Sequence, residues 1–175
     1  KQIPATDVRS KMWVETPTTA NSIVPPGGVR PKFLNQKFRL PGTPSTSAMG
    51  DVPYMRAAEM YLIEAEAKAR LNDAAGASKV LFDLIKTRDA SYVQSTKTGD
   101  ALIEEILTQR RIELWGEGHR FFDLKRTNAA LNRNGTNAIA SVALLFDVAP
   151  GDVRWEFLIP RREINANPAI VQNPL

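Results

Sequence analysis

Two glutamates four residues apart, Glu113 and Glu117, have the types and spacing that could support chemistry. On a helix this spacing places both carboxyl groups on one face, where such a pair can serve in general acid–base or glycosidase catalysis. Arg110 and Arg120 bracket the pair at three residues on either side. Their charge favours the ionised carboxylates, whereas a general acid needs a raised pKa. We therefore interpret the four side chains as a structural ion-pair seam, and keep a hydrolase using the two glutamates only as a weaker hypothesis.

The sequence carries no other recognisable catalytic or metal-binding pattern. Its one histidine, His119, lacks partners at a metal-ligand spacing such as HEXXH, and the neighbouring arginine disfavours the charged imidazole. There is no cysteine, and neither a GxSxG nucleophile motif nor a phosphate-cradling glycine loop occurs. We therefore predict a structural role for His119, no catalytic residue, no bound metal and no cofactor.

Aromatic side chains outside the predicted helices are the remaining candidates for ligand contact. Sugars bind proteins mainly by laying the apolar faces of their rings on aromatic side chains, with polar groups reading the hydroxyls. The tryptophan and tyrosine residues assigned to loops or short strands are Trp13, Tyr92 and Trp155. For each of them, packing inside the protein is favoured over ligand contact. The ligand-binding residues therefore stay unassigned.

Composition and charge describe an ordinary folded protein. Apolar residues make up 43% and charged residues 24% of the 175 residues, close to the average for soluble globular proteins. The formal charge is 23 − 19 = +4, and the basic residues are interleaved with acids, so a nucleic-acid partner is not expected. No apolar run approaches the roughly 18 residues that a membrane span needs.

The seam lies in residues 102–126, LIEEILTQRRIELWGEGHRFFDLKR, which lack proline and follow Asp100, a favourable N-cap residue. Apolar side chains spread around most of this helix, so other elements must cover it, and charges buried with them must be paired. A glycine weakens a helix by about 1 kcal/mol relative to alanine. We therefore predict one long helix, bent at Gly116 and Gly118.

Two shorter helices are predicted at 53–72 and 74–88, with Pro53 in the first turn after the cap Asp51. A turn at Asn72-Asp73 would join them into an antiparallel hairpin of the tetratricopeptide type. Helical repeats of this kind generally need about three copies to be stable. Either the 102–126 helix replaces the missing neighbours, or they lie upstream of Lys1.

The flanking segments are predicted to be irregular. Residues 1–52 hold seven of the twelve prolines yet keep many apolar side chains, which favours an irregular wrap over a helical body. In the last part, a turn is expected at Asn134-Gly135, a short strand at 154–160, and turns without a helix in the tail. The predicted fold class is mainly α, with a tetratricopeptide-like hairpin and a long bent helix wrapped by loops and short strands. We assign one domain, 1–175, made of the wrap 1–52, the helical core 53–127 and the irregular segment 128–175.

Three motifs in order resemble the SusD/RagB family. They are PYMRAAEMYLIEAEAKARLNDAAGA at 53–77, RRIELWGEGHRFFDLKR at 110–126 and FLIPRREINANPAIVQNPL at 157–175. A shorter D-x-R segment, DVRSKMW at 7–13, is similar to a further stretch of the same proteins. The chain departs from the family pattern in three places: Gln109 replaces the usual glutamate, Trp115-Gly116 replaces a small-aromatic pair, and Thr127 stands where tryptophan is common.

The resemblance implies a fold, a function and a location. Family members are surface-exposed outer-membrane lipoproteins that bind oligosaccharides or other nutrients and cover a SusC-like TonB-dependent transporter. They are helical around tetratricopeptide-type hairpins and have no catalytic activity. The resemblance further implies that this chain is the C-terminal portion of such a lipoprotein, with the lipid anchor outside it. The matched charged residues are expected to belong to the scaffold.

Two functions from different classes follow. The first is the nutrient-binding component of a SusC/SusD-type uptake system, with an oligosaccharide as the expected nutrient. The second is a helical-repeat module that binds a protein or peptide and takes no part in nutrient capture. Sugar binding without affinity for peptides would distinguish the first from the second.

Overall fold

The computed structural model of the chain describes residues 3–18, 27–28, 32–38, 54–136, 138, 141 and 143–173. Within these ranges lie five α-helices, four two-residue strands in two antiparallel pairs, and two 3-10 helices. The predicted fold class is confirmed: the chain is rich in helix and has few, short strands. No helix in these ranges is both long and apolar enough to span a membrane.

The predicted hairpin is formed by α1 (Ala57–Arg70) and α2 (Ala74–Ile85). α1 begins at Ala57, after an extended Arg56, so it starts later than predicted. The predicted cap Asp51 and first-turn Pro53 lie outside the described residues. The hairpin itself is confirmed, and its assignment to the tetratricopeptide type stays a prediction.

A Schellman motif makes the tight turn between the two helices. Asn72 adopts a left-handed backbone with φ 65°. Its N–H bonds to the carbonyl of Ala69 at 3.1 Å, and the N–H of Asp73 bonds to the carbonyl of Lys68 at 2.9 Å. The carboxylate of Asp73 then caps α2 by accepting a hydrogen bond from the N–H of Gly76 at 2.9 Å. One helix therefore ends and the next begins within three residues.

The third helix, α3 (Gly99–Glu113), packs against this hairpin. Alanines at α1 positions such as Ala65 and Ala69 are buried, and their small size allows close approach of the helices. The shared core is almost entirely aliphatic, and its largest fully buried members are Leu62, Leu81, Ile85, Leu102 and Ile106. At about 25 cal/mol per Å² of apolar surface removed from water, burial of these side chains is the main stabilising contribution. α3 begins at Gly99 after Thr98, so Asp100 lies in the first turn and is not the predicted N-cap.

The long helix predicted at 102–126 is interrupted in the structure. α3 ends at Glu113, and α4 (His119–Arg126) begins after a turn that contains both glycines. Gly116 and Gly118 have φ of 77° and 87°, in the left-handed region that side chains disfavour. The prediction that the two glycines disturb the helix was correct, but a bend was predicted and the helix instead ends before them. The reason is that two left-handed residues cannot be accommodated within a continuous right-handed helix.

This turn gives a test with a matched control. Alanine at either glycine would strain the left-handed backbone by about 1–2 kcal/mol. A Cβ at Gly116 would also lie 2.7 Å from the Phe38 ring, whereas a Cβ at Gly118 would meet nothing within 4 Å. We therefore expect Gly116→Ala to lower the free energy of unfolding more than Gly118→Ala does, as measured by urea denaturation. Equal losses would show that the Phe38 ring moves aside without cost.

The described part of the N-terminal segment contains only short elements. A 3-10 helix, Val8–Met12, leads into β1 (Trp13–Val14), which pairs antiparallel with β2 (Leu34–Asn35). The N–H of Val8 donates to the carbonyl of Arg88 at 2.9 Å, which joins this segment to the end of the helical hairpin. Residues 1–2, 19–26, 29–31 and 39–52 of the predicted wrap lie outside the described residues.

The C-terminal part is less irregular than predicted. After α4, β3 (Leu131–Asn132) pairs antiparallel with β4 (Asp147–Val148), and the chain turns at Asn134 and Gly135 as predicted. The strand predicted at 154–160 is wrong: Val153–Trp155 forms a 3-10 helix, in which Asp152 caps the N–H of Arg154, and residues 156–160 form no strand. The prediction of a tail without a helix is also wrong, because α5 (Arg161–Ala166) follows Pro160.

The chain divides into two compact units, Lys1–Gly118 and His119–Leu175. This division falls inside the segment predicted as the helical core. The first unit contains the aliphatic core described above, and the second has a smaller core of Leu124, Val148 and Trp155. The assignment of one domain with internal boundaries at 52 and 127 stays a prediction.

Candidate functional site

Glu113, the last residue of α3, is surrounded by three arginines. Its side chain is 4% exposed. One carboxylate oxygen accepts hydrogen bonds from Arg56 and Arg88, both at 2.9 Å, and the other accepts from Arg9 and Arg88, both at 3.2 Å. A carboxylate can accept several hydrogen bonds, and bonds from guanidinium groups are among the strongest available to it. The burial of this charge is therefore balanced by its partners.

Glu117 lies in the turn after α3 and shares Arg56 with Glu113. Arg56 donates to the two oxygens of Glu117 at 3.0 and 2.7 Å, and Lys37 forms an ion pair with the same carboxylate. Lys37 also donates to the backbone carbonyls of Glu113 and Trp115, at 2.7 and 3.0 Å. Carbonyls at a helix C-terminus have no partners within the helix and carry partial negative charge. Lys37 therefore caps the C-terminal end of α3 by donating hydrogen bonds to these carbonyls.

Arg9 is the most deeply buried cation of this network, with a side chain that is 0% exposed. It bonds to Asp7 through Nη2 at 2.6 Å and through Nε at 3.0 Å, and to the amide oxygen of Gln109 at 2.7 Å. Gln109 is the position that departs from the family pattern of glutamate. In this protein the neutral amide oxygen of Gln109 accepts a hydrogen bond from Arg9, whose other donors bond to the carboxylates of Asp7 and Glu113.

Of the predicted seam, Glu113 and Glu117 are brought together through Arg56, which bonds to both. Arg110 pairs with Glu59 of α1 at 3.3 Å, and Arg120 is exposed in the second unit. Sequence reasoning missed the cations that bind the two glutamates, which are Arg9, Lys37, Arg56 and Arg88. Two of these cations had a signal, because Arg9 belongs to the D-x-R segment and Arg56 to the first family-like motif. On α1 itself, Glu66 and Arg70, four residues apart, form an ion pair at 2.8 Å.

The electrostatics of the network suit ionised carboxylates. Burial by itself would raise the pKa of Glu113, but hydrogen bonds from Arg88 and Arg56 and the charges of Arg88 and Arg9 outweigh it and lower the pKa to about 2. The pKa of Glu117 is also lowered, because hydrogen bonds from Arg56 and Lys37 overcome its burial. A general acid at neutral pH needs a raised pKa. The arrangement therefore favours a structural role for the two glutamates.

The lowered pKa of Glu113 predicts a pH dependence of stability. A carboxylate whose folded-state pKa lies below the unfolded value of about 4.3 stabilises the fold above that value, and this contribution is lost as the pH falls toward the folded-state pKa. We expect the free energy of unfolding, measured in urea, to fall between about pH 5 and pH 2. Glu113→Gln has no carboxylate to protonate and should show a shallower fall. The same slope in both proteins would contradict the assignment.

The three aromatic candidates for ligand contact all have internal partners. Trp13 packs edge-on against Trp115, with ring centroids 6.1 Å apart. The hydroxyl of Tyr92 donates to Glu105 at 2.7 Å, and burial together with this bond raises the pKa of Tyr92. Trp155 is 8% exposed and donates its Nε1–H to the carbonyl of Ala149 at 2.7 Å.

Two further aromatics lie outside the helices, contrary to prediction. Tyr54 precedes α1, and Trp115 lies in the turn after α3, because both helices are shorter than predicted. These side chains are 92% and 42% exposed, respectively. His119, the first residue of α4, is half-buried. No group of three or more side chains able to hold a metal ion occurs within the described ranges.

A cleft of about 320 Å³ lies in the second unit, between the end of α4 and the turn at 151–156. A Schellman motif ends α4: Asn128 has φ 50°, its N–H reaches the carbonyl of Lys125 at 3.1 Å, and the N–H of Ala129 reaches that of Leu124 at 2.8 Å. The cleft has apolar and polar walls, and its lining is Leu124, Lys125, Asn128, Ala129, Gly151, Asp152, Val153, Trp155 and Glu156.

Comparison with known proteins gives one consistent family. The model of the SusD family matches residues 5–175. A SusD-like protein of Formosa agariphila, P38, is 34% identical over 88 residues, which cover 46% of this chain and 18% of that protein. The chain therefore spans less than a fifth of the length of this relative.

Solved structures show the same likeness in three dimensions. A SusD superfamily protein of Bacteroides vulgatus is 26% identical with a TM-score of 0.77, over 97% of this chain and 36% of that one. A SusD-like carbohydrate-binding protein of the same species is 31% identical with a TM-score of 0.58, over 76% of this chain and 27% of that one. A SusD homolog of Bacteroides thetaiotaomicron is 26% identical with a TM-score of 0.62, over 98% of this chain and 36% of that one.

Proposed function

This chain belongs to the SusD family, and from that membership we propose that it serves in nutrient capture, with oligosaccharides as the nutrient. The match over residues 5–175 carries the proposal, since it includes every motif on which the resemblance rests. A relative of known structure, 31% identical, is a SusD-like carbohydrate-binding protein. The activity would be binding on a largely preformed surface, with no covalent bond made or broken.

The charge network supports a non-catalytic role, which is general in this family. The two glutamates that could act as acid and base have lowered pKa values and are held by cations from three separate segments. Glutamates held in this way stabilise the fold through their hydrogen bonds to the cations. Loss of a glutamate or of its cation leaves a buried charge without compensation. We therefore propose that the network is part of the scaffold that presents the binding surface.

The partner and the location follow from the family. SusD proteins are in general associated with the outer-membrane surface. We propose that this protein acts there with a SusC-like TonB-dependent transporter, anchored through a lipid that lies outside this chain. The transporter would take up the nutrient that the SusD-like partner captures.

Calorimetry on the full-length protein that contains this chain tests the proposal. We expect binding of oligosaccharides from a panel of plant, algal and bacterial glycans, and co-purification with the transporter expressed alongside. Peptide libraries serve as the control ligand class. Peptide binding without sugar binding would instead favour the helical-repeat interaction module, and turnover of a bound glycan would contradict the non-catalytic role.

A further inference from the structure

The cleft in the second unit is built by backbone geometry and not by chance packing of side chains. On one side, the Schellman motif of α4 fixes Lys125, Asn128 and Ala129 on the lining. On the other side, Asp152 accepts a hydrogen bond from the N–H of Arg154 at 2.9 Å and thereby fixes the turn. Trp155 lines the cleft and is held by its bond to the carbonyl of Ala149. Both walls are therefore preformed.

We propose that this cleft binds a small, neutral, polyhydroxylated ligand such as a single sugar ring. The ligand class rests on the function proposed above, whereas the position of the site rests on the cleft alone. Ligand pockets range from about 300 to 1,000 Å³, so a cleft of about 320 Å³ fits a small ligand. Its apolar lining residues, among them Val153 and Trp155, can cover the carbon-bearing face of a ring.

Neutrality of the ligand follows from the charges on the lining. Lys125 is paired with Glu156 at 2.7 Å, and Asp152 is paired with Arg154 at 2.7 Å. Lys125, Asp152 and Glu156 belong to the lining, whereas Arg154, which neutralises Asp152, does not. A phosphate or carboxylate would meet two carboxylates and only one lining cation, Lys125, which is already engaged. A ligand without charge avoids both the repulsion and the breaking of a pair.

Hydroxyl groups would find partners in the same cleft. The side-chain amide of Asn128 makes no hydrogen bond to any residue in the described part of the chain, so its donor and acceptor are available. The pair of Lys125 and Glu156 is about 40% exposed on each side. Exposed ion pairs contribute little to stability, so this pair can rearrange to bond to hydroxyls. The cleft therefore offers donors and acceptors beside an apolar surface.

Asn128→Gly tests the site with a matched control. Glycine keeps the left-handed backbone of the Schellman motif and removes only the amide. Asn72→Gly makes the same change at the equivalent position of α1, which does not line the cleft. The full-length protein is titrated with D-glucose, D-galactose and D-mannose by calorimetry and saturation-transfer NMR. We expect Asn128→Gly to weaken hexose binding about five- to tenfold, the usual effect of one hydrogen bond, and Asn72→Gly to leave it unchanged.

A second variant tests the charge argument by a different readout. Glucose 6-phosphate should bind about tenfold more weakly than glucose. Glu156→Gln removes one carboxylate and releases Lys125, so it should reduce the difference in affinity between glucose and glucose 6-phosphate. Equal affinity of Asn128→Gly and Asn72→Gly for hexoses, or preference for the phosphorylated sugar, would overturn the proposal. If oligosaccharides bind but the cleft variants have no effect, the cleft proposal fails and the nutrient-binding function stands; if no sugar binds, both fail.

Discussion

Glu113→Ala is expected to lower the free energy of unfolding by about 3–5 kcal/mol, because it leaves the buried Arg9 and the partly buried Arg56 and Arg88 without their shared carboxylate. Arg9, Arg56 and Arg88 all bond to this one side chain, and Arg9 has no exposure to water. The loss would be measured by urea denaturation at neutral pH. Few single substitutions have an effect of this size, since most cost about 1 kcal/mol.

Glu104→Ala provides the control on the same helix. Glu104 is exposed on α3, and substitutions at such positions usually change stability by no more than about 0.5 kcal/mol. The difference between the two variants separates the loss of the ion pairs at Glu113 from the effect that an alanine has on the helix itself. A loss below about 0.5 kcal/mol for Glu113→Ala would mean that the network contributes little to stability.

Arg9→Met should have an effect of similar size, about 3–5 kcal/mol. The substitution keeps the apolar part of the side chain but deprives Asp7, which is 2% exposed, of its ion-pair partner. It also removes one donor from Glu113 and one from Gln109. Thermal and urea denaturation measure the loss. Lys11→Met, an exposed lysine of the same 3-10 helix, is the matched control and should be nearly neutral.

The double variant Asp7→Ala with Arg9→Met distinguishes a lost pair from lost packing. Removing both partners leaves no buried carboxylate at position 7, so the combined loss should be smaller than the sum of the single losses. Interaction energies between groups in one network are about 0.5–3 kcal/mol. Simple additivity would indicate that Arg9 acts through its apolar stem and not through its charge.

The helical hairpin was predictable because its signals are local. Alanine-rich helical sequence, an asparagine at the turn and an aspartate that caps the next helix lie within a short stretch, and each acts on the backbone nearby. The break near Gly116 was predictable in position for the same reason. Whether the helix bends or ends there was not predictable, because the φ of 77° at Gly116 depends on the path that the chain takes after α3.

The partners of Glu113 and Glu117 could not be read from spacing. Periodicity along one helix indicates only which residues share a face, and it suggested the neighbours at positions 110 and 120. The structure instead supplies Arg9, Lys37 and Arg56 from other segments, and their approach depends on tertiary packing. The two family-like motifs that contain Arg9 and Arg56 were a better guide than helical spacing.

The missed helix α5 is too short to show periodicity. It has six residues, begins directly after Pro160 and ends before Asn167, whose extended backbone precedes a proline. Proline restricts the residue before it and fixes its own φ, but it is compatible with the start of a helix. The Asn167-Pro168 pair therefore marks where the helix must stop, and gives no information on the six residues before it.

The sequence separations in the Glu113 network also bear on the order of folding. Its arginines lie 104, 57 and 25 residues from the carboxylate along the chain. Bringing such distant groups together has an entropic cost that must be met before their contacts can form, so long-range contacts slow folding. The hairpin, by contrast, closes over three residues and can nucleate early. The N-terminal segment that carries Arg9 can therefore dock only on a helical body that has already assembled, and it would be the first part to detach when the protein opens.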